Sequence, residues 1–97
     1  MGVPVETVYE QVCELARQYG VSRVVLFGSR ARKSNHEKSD IDLAIYGCQN
    51  FRDFSFDVNE TVWTLLSFDL IDMNRPDISK DLLAEIERDG VVLYEKI

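Results

Sequence analysis

Two aspartates stand two residues apart where a polar segment gives way to an apolar run, in FGSRARKSNHEKSDIDLAI, residues 27–45. Side chains at i and i+2 of a β-strand project to the same side, so Asp40 and Asp42 should point together, with Ile41 on the opposite face. Two ionised carboxylates this close raise each other's pKa unless a cation lies between them. Mg²⁺ suits them because it takes hard oxygen ligands and shares carboxylates with substrate phosphates. An isolated Asp-x-Asp is more often a strand cap beside a solvent-facing carboxylate, so the pair needs support from other residues.

That support comes from the Gly-Ser pair that ends the preceding apolar run. Gly28 has no Cβ, which lets backbone N–H groups come close to a ligand. Ser29 adds a hydroxyl, and the turn into Arg30-Ala31-Arg32 begins like a helix, whose N-terminus favours anions. Both arginines could pair with phosphate oxygens, although one of them could equally face only solvent. The segment is not a Walker A loop, since G-x-x-x-x-G-K-[ST] is absent.

A third carboxylate is available in the later segment FDLIDMN. Asp69 and Asp72 are three residues apart, so on a strand they face opposite sides and only one can join Asp40 and Asp42. The other is expected to cap the strand end or to meet solvent. Three carboxylates from two neighbouring strands could hold two metal ions about 3.5–4 Å apart, as in phosphoryl-transfer sites.

Apolar periodicity and turn residues divide the chain into alternating helices and strands. Helical spacing follows Pro4 as far as Gly20, and a second helix is expected over 78–90. Short apolar runs predict strands at 22–28, 40–47, 67–74 and 91–96, and a helix-like turn and a polar loop fill 29–39. Residues 51–66 fit both periods, and the helix is favoured there. The order α-β-α-β-α-β-α-β predicts a layered α/β or α+β fold, with residues 1–97 as a single domain.

Bulk composition excludes several classes of protein. The chain has 97 residues, 45% of them hydrophobic, which suffices for one packed core. A net charge of −6 argues against nucleic acid as a partner. Neither a signal peptide nor a run of about 20 apolar residues is visible. We therefore expect a cytoplasmic protein that does not associate with a membrane. Cys13 and Cys48 stand apart, without CxxC spacing, and are expected to be reduced packing residues.

Taken together, GSRARKSNHEKSDIDLAI and FDLIDMN resemble the nucleotidyltransferase superfamily that includes DNA polymerase β. The chain looks most like its minimal, single-domain prokaryotic members, the MNT proteins. The family pattern is Gly-Ser, ten residues, then Asp-x-Asp, and residues 30–39 supply those ten here. The resemblance covers nearly the whole chain and implies an α+β (two-layer α/β) fold with a mixed sheet flanked by helices. One departure is Lys33, where many relatives have glycine; the turn could differ there, or Lys33 could contact phosphate.

The resemblance also implies roles for individual residues. Gly28 and Ser29, joined by Arg30, would hold the phosphates of a nucleoside triphosphate. Asp40 and Asp42 would bind two Mg²⁺ ions. The third acid of the family maps to Asp69 rather than Asp72, where it would complete one metal site and help to deprotonate the attacking hydroxyl. That hydroxyl would attack the α-phosphate, releasing pyrophosphate.

A partner protein is the acceptor that the resemblance implies. Minimal relatives are typically paired with a helical HEPN-domain protein, and characterised antitoxins transfer AMP from ATP onto a tyrosine of that toxin. The alternative is a non-catalytic, nucleotide-binding antitoxin that acts by complex formation. An antibiotic or small metabolite is a weaker acceptor, because no acceptor pocket is evident in the sequence. A homodimer is also compatible with it. Acidic residues between Asp77 and Asp89 are expected to form a solvated face, with a docking surface for a basic partner as the alternative.

Overall fold

A computed structural model describes residues 4–62 and 64–96. Four helices and four strands alternate along this part of the chain, in the predicted order. They are α1 (Val5–Gln18), β1 (Arg23–Phe27), α2 (Ser29–Arg32), β2 (Ile41–Tyr46), α3 (Phe51–Thr61), β3 (Phe68–Asp72), α4 (Lys80–Asp89) and β4 (Val91–Glu95). Where a boundary was expected from a glycine, proline or serine, the observed element begins or ends within about two residues of it.

The four strands form one mixed sheet in the order β3-β2-β1-β4. β1 pairs antiparallel with both β2 and β4, whereas β2 and β3 run parallel. A parallel pair needs a crossover connection, and α3 supplies it between β2 and β3. The predicted α+β fold, with a mixed sheet flanked by helices, is therefore confirmed.

Helices cover both faces of this sheet. On one face, α1 and α3 bury apolar side chains such as Val12 and Phe54 against Leu26, Leu43 and their neighbours. On the other face, α4 packs Ile86 into a smaller cluster with strand residues that include Ala44. Neighbouring residues of β2 consequently enter different layers, and this alternation decides which way its acidic side chains face.

The helix expected over 51–66 is shorter than the sequence suggested. It ends at Thr61, because Val62 adopts an extended conformation (φ −76°, ψ 118°) and turns into the core. Leu66 then packs against the same core from a non-helical segment, whereas Leu65 is 96% exposed. The prediction of a helix from the spacing of these apolar residues was thus wrong for the part of the segment after Thr61. Trp63, expected in the core or at an interface, lies outside the described residues.

The helix expected over 78–90 begins slightly later than its predicted start. Ser79 is its N-cap, and its side-chain oxygen accepts a hydrogen bond from the N–H of Leu82 at 3.2 Å. Gly90 ends the helix, as expected. Across the described residues, no helix is both long and apolar enough to cross a membrane.

Candidate active site

Three carboxylates lie at one end of the sheet. Asp42, in β2, is directly opposite Asp69, in β3, in the register of the parallel pair, and Asp40 immediately precedes β2. Asp72 lies opposite Ile45, further along β3, and its carboxylate accepts a hydrogen bond from the N–H of Asn74 at 3.0 Å. The structure therefore brings Asp69, rather than Asp72, to Asp42. Asp72 caps the turn after the strand, the use expected for whichever acid stayed outside the site.

Alternation along β2 turns Asp42 toward the layer that contains α4. Ile41 and Leu43 are fully buried in the cluster beneath α1 and α3. Ala44 belongs to the cluster with Ile86 of α4, and Asp42 is two residues from it, so both project to that side. Asp42 consequently lies on the same side of the sheet as α4, whose Glu85 acts on its charge, and the sequence alone did not indicate this.

The surroundings of Asp42 disfavour its negative charge. Burial is the largest cause, followed by Asp69, Asp40 and Glu85, and together they raise the pKa of Asp42 from 3.8 to about 6, against an opposing effect of Arg32. A carboxylate held among like charges gains more from a bound cation than one exposed to water. This perturbed group at the mouth of a strand is therefore the strongest electrostatic indication of a functional site.

The donor set fits a divalent metal ion in its chemistry. Asp40, Asp42 and Asp69 offer the hard oxygen ligands that Mg²⁺ takes in proteins. Among residues 4–62 and 64–96, however, no three His, Cys, Asp or Glu side chains already converge as a metal site. Binding of a cation would accordingly require the carboxylates to turn toward it, which their mutual repulsion opposes until the ion is present.

Gly28 allows the turn after β1 to lie against Asp42. Its φ of 76° is in the region that favours glycine, and a Cβ built on it would overlap Oδ2 of Asp42. The turn then enters α2 at Ser29, and the carbonyl of Gly28 accepts the N–H groups of Ala31 and Arg32, each at 3.1 Å. A substituent at residue 28 would therefore separate the Gly-Ser turn from the carboxylate beside it.

Arg30 contacts the loop that leads to Asp40. Its Nε donates to the carbonyl of Ser39 at 3.0 Å, and its Nη2 donates to the carbonyl of Glu37 at 3.1 Å. These contacts engage donor atoms that a phosphate would otherwise use. The sequence suggested a phosphate contact or a solvent-facing side chain for Arg30, and neither expectation anticipated this arrangement.

Arg32 points instead toward α4. Its Nη1 lies 3.1 Å from Oε2 of Glu85 and 3.5 Å from Oδ2 of Asp89. Arg32 lowers the pKa of Asp42 whereas Glu85 raises it, so both side chains act on the acidic end of the sheet. Glu85 is a site residue that the sequence analysis missed, since the acids of α4 were expected to form a solvated face. No signal in the sequence could have found it, because its position depends on where α4 packs.

Lys33 ends α2 in a left-handed conformation, with φ 61° and ψ 29°. This is the conformation in which glycine is favoured at the end of a helix. The backbone therefore keeps the shape that a glycine would adopt, although the residue is lysine. Both expectations for Lys33, a turn of different shape and a contact with phosphate, stay predictions.

An open cleft of about 920 Å³ lies beside Asp40. Its apolar lining comes from α1 and from the segment before β3, and includes Val5, Leu65 and Leu66. Its charged lining comes from Arg30 of α2 and from the loop before β2, including Lys38 and Asp40. The sequence showed no acceptor pocket, so this cleft is a difference from expectation. Of the three carboxylates, Asp40 lines this cleft, together with Arg30, which follows the Gly-Ser turn.

Comparison with protein families gives one match that spans most of the chain. The family described as "Polymerase beta, Nucleotidyltransferase" matches residues 10–97. Among curated proteins, none matches the chain.

Comparison with solved structures finds the same fold in toxin–antitoxin assemblies. A toxin–antitoxin structure with AMP-PNP aligns at a TM-score of 0.69 and 21% identity, covering 91% of this chain and 73% of the other. Two mutants of the toxin–antitoxin MntA-HpeT each align at 0.67, with 19% and 21% identity; they cover 91% and 90% of this chain, and 73% and 72% of theirs. At these identities the similarity is one of fold.

Proposed function

Because the chain belongs to the polymerase beta nucleotidyltransferase family, we propose that it is an Mg²⁺-dependent transferase that moves AMP from ATP onto a hydroxyl group. One observation carries the proposal: Asp42 and Asp69 lie side by side on the parallel strands β2 and β3, with Asp40 one residue before β2 and the Gly28 turn against Asp42. Family chemistry of this kind requires carboxylates next to a phosphate-binding turn, and the Gly28 turn lies at the same end of the sheet as these carboxylates.

In this proposal Asp40, Asp42 and Asp69 hold the divalent cations. The bound metal would supply neutralisation of the charge that develops on the phosphate and pyrophosphate oxygens. Gly28 and Ser29 bind the phosphates through the backbone and hydroxyl of their turn. The acceptor oxygen forms a bond to the α-phosphorus while the bond to the leaving pyrophosphate breaks, and Asp69 takes the proton of the attacking hydroxyl. Positioning and electrostatic stabilisation supply most of the rate enhancement.

The proposed acceptor is a tyrosine of a HEPN-domain toxin, which would make this chain the antitoxin of a pair. The fold similarity to toxin–antitoxin structures, one of them with AMP-PNP, supports a toxin partner and a nucleotide ligand. The cleft beside Asp40 gives an acceptor side chain a way to the carboxylates. We propose that residues 1–97 act as one minimal nucleotidyltransferase domain in the cytoplasm, where ATP and a reducing environment are available. The free thiols of Cys13 and Cys48 accord with this location.

Intact-mass spectrometry tests the proposal directly. A HEPN-domain protein that co-purifies with this chain would be incubated with the wild-type chain, Mg²⁺ and each nucleoside triphosphate in turn. We expect a mass gain of one or more nucleoside monophosphates, largest with ATP, which disappears with Asp40→Asn or Asp69→Asn. Asp72→Asn is the matched control, since it removes the same charge from β3 outside the site, and it should keep the transfer.

The alternative function is that of an antitoxin that binds nucleotide and toxin without transfer. A stable complex and measurable ATP binding, with no mass gain from any of the four nucleotides, would replace the transferase proposal with this one. A mass gain that survives Asp40→Asn would also overturn the roles proposed for the carboxylates.

A further inference from the structure

Arg30 joins the phosphate-binding turn to the loop that carries a catalytic carboxylate. It belongs to α2, one residue after Ser29, yet its guanidinium donates to the carbonyls of Glu37 and Ser39. Burial raises the pKa of Tyr9 in α1, and the nearby guanidinium of Arg30 opposes that effect. The side chain thus connects α2 with the loop before β2, close to Tyr9 of α1.

The contact with Ser39 is adjacent to Asp40. Asp40 precedes β2, and its side chain is exposed, so packing does little to fix it. On its C-terminal side the chain is anchored where the N–H of Ile41 donates to the carbonyl of Ser67 at 2.9 Å. On its N-terminal side the carbonyl of Ser39 is held by Nε of Arg30 at 3.0 Å. The position of Asp40 is therefore set by backbone hydrogen bonds on both sides of it.

The geometry also explains why an arginine is suitable at this position. Two donors of one planar group meet carbonyls two residues apart, which a guanidinium can do in a fixed arrangement. A lysine ammonium is a flexible point charge and cannot reproduce both bonds in one fixed plane. Within the loop, the N–H of His36 donates to Oγ of Ser39 at 3.0 Å, which gives the guanidinium a compact turn to bind.

We propose that Arg30 is a positioning residue that sets the place of Asp40, and that it is not a ligand of the triphosphate. The proposal rests on the proposed function only in that Asp40 is taken as a metal ligand. Arg30 acts through the backbone of residues 37–39, so its removal changes cation binding and the chemical step rather than the affinity for phosphate.

Two measurements without substrate turnover test this role. Hydrogen exchange of the amides of residues 34–40 should accelerate in Arg30→Gln and Arg30→Lys, and Arg52→Gln, an exposed arginine of α3, should leave it unchanged. Titration with Mn²⁺ followed by electron paramagnetic resonance should show affinity weakened about 10-fold in Arg30→Gln, the size typical when a residue that orients a metal ligand is lost. Arg30→Lys keeps the charge and serves if Arg30→Gln folds poorly; it should show the same direction of change.

A double-mutant comparison identifies Asp40 as the residue through which Arg30 acts. In the Asp40→Asn background, Arg30→Gln should cause no further loss of Mn²⁺ affinity, because the ligand that it positions has gone. A full additional loss would overturn the proposal. In transfer assays, kcat should fall while KM for ATP stays within about twofold, since uniform substrate binding is untouched.

Nucleotide affinities separate positioning from phosphate binding. If Arg30 contacted phosphates, Arg30→Gln would weaken binding progressively from AMP to ADP to ATP, and that result would overturn the proposal. The two hypotheses of this article can also fail independently. If the wild-type chain transfers nothing, while Arg30→Gln lowers both the protection of the loop from hydrogen exchange and the affinity for Mn²⁺, the transferase proposal is refuted and the positioning role stands. If the wild-type chain transfers nucleotide and Arg30→Gln leaves Mn²⁺ affinity unchanged, the positioning role is refuted and the transferase proposal stands.

Discussion

Replacing Asp42 by asparagine should stabilise the metal-free protein while abolishing its proposed activity. Burial and the charges of Asp69, Asp40 and Glu85 raise the pKa of Asp42 from 3.8 to about 6, against Arg32. At 1.36 kcal/mol per pKa unit, such a shift corresponds to roughly 3 kcal/mol. Solvent screens a carboxylate that is only partly buried, so we reduce the expected gain to about 1–2 kcal/mol.

The gain should depend on pH in a defined direction. A carboxyl whose pKa is higher in the folded state binds more protons there than in the unfolded chain at pH values between 3.8 and about 6. The free energy of unfolding therefore falls as pH rises through that window, and the penalty is complete above about pH 7. Asp42→Asn removes this loss, so the stability difference between variant and wild type should grow from pH 4 to pH 7 and then stay constant.

Thermal unfolding in EDTA, followed by circular dichroism at several pH values, measures this difference. A gain of 1–2 kcal/mol corresponds to a rise in Tm of about 4–16 °C for a domain of this size. Glu87→Gln, which removes one exposed charge from α4, is the charge-matched control and should show no such pH dependence. Addition of Mg²⁺ should raise the Tm of the wild type and leave that of Asp42→Asn nearly unchanged. A pH-independent stability difference between wild type and Asp42→Asn would refute the electrostatic reasoning.

Three further substitutions test the turns and the core. Lys33→Gly should raise the free energy of unfolding by about 1 kcal/mol in urea titrations, because glycine adopts φ 61° without strain, whereas Lys33→Ala should not. Gly28→Ala should lower the free energy of unfolding by at least about 1 kcal/mol more than Gly20→Ala. Both glycines have positive φ, but only a Cβ at residue 28 would overlap Asp42, so equal losses in thermal melts would contradict the overlap. Phe54→Ala should cost about 3–5 kcal/mol by the same titration, as its fully buried ring leaves a cavity, and a loss below 1 kcal/mol would contradict its core position.

Local rules predicted the elements and the closeness of two of the acids. Alternation along a strand predicted that Asp40 and Asp42 share one side, and the proximity of Asp40 to Asp42 is seen in its effect on the pKa of Asp42. The spacing of Asp69 and Asp72 likewise showed that they would separate. Which of the two meets Asp42 depends on the register between β2 and β3, and for this the sequence offered only the resemblance to a family.

Side-chain contacts made across the fold could not be predicted in this way. Arg30 and Arg32 have the same chemistry and are two residues apart, yet one contacts the loop before β2 and the other pairs with α4. Glu85 is 53 residues from Arg32 in the chain, and the two meet only because α4 packs on the face that bears Asp42. The prediction of a helix as far as residue 66 was wrong for a related reason, since Leu66 can reach the core from a non-helical segment as well as from a helix.

The cost of the acidic cluster and its proposed use have one physical origin. Asp42 is destabilising in the free protein because burial and its acidic neighbours oppose its charge, and Arg32 compensates only in part. Arg32 is itself shared with Glu85 and Asp89, so it cannot neutralise Asp42 completely. A divalent cation bound among these carboxylates would remove the repulsion that folding leaves in place, and the free energy so released would contribute to its affinity. Substitutions that relieve the repulsion permanently should therefore increase stability and weaken cation binding together, whereas a substitution of Arg30 should weaken cation binding without that gain in stability.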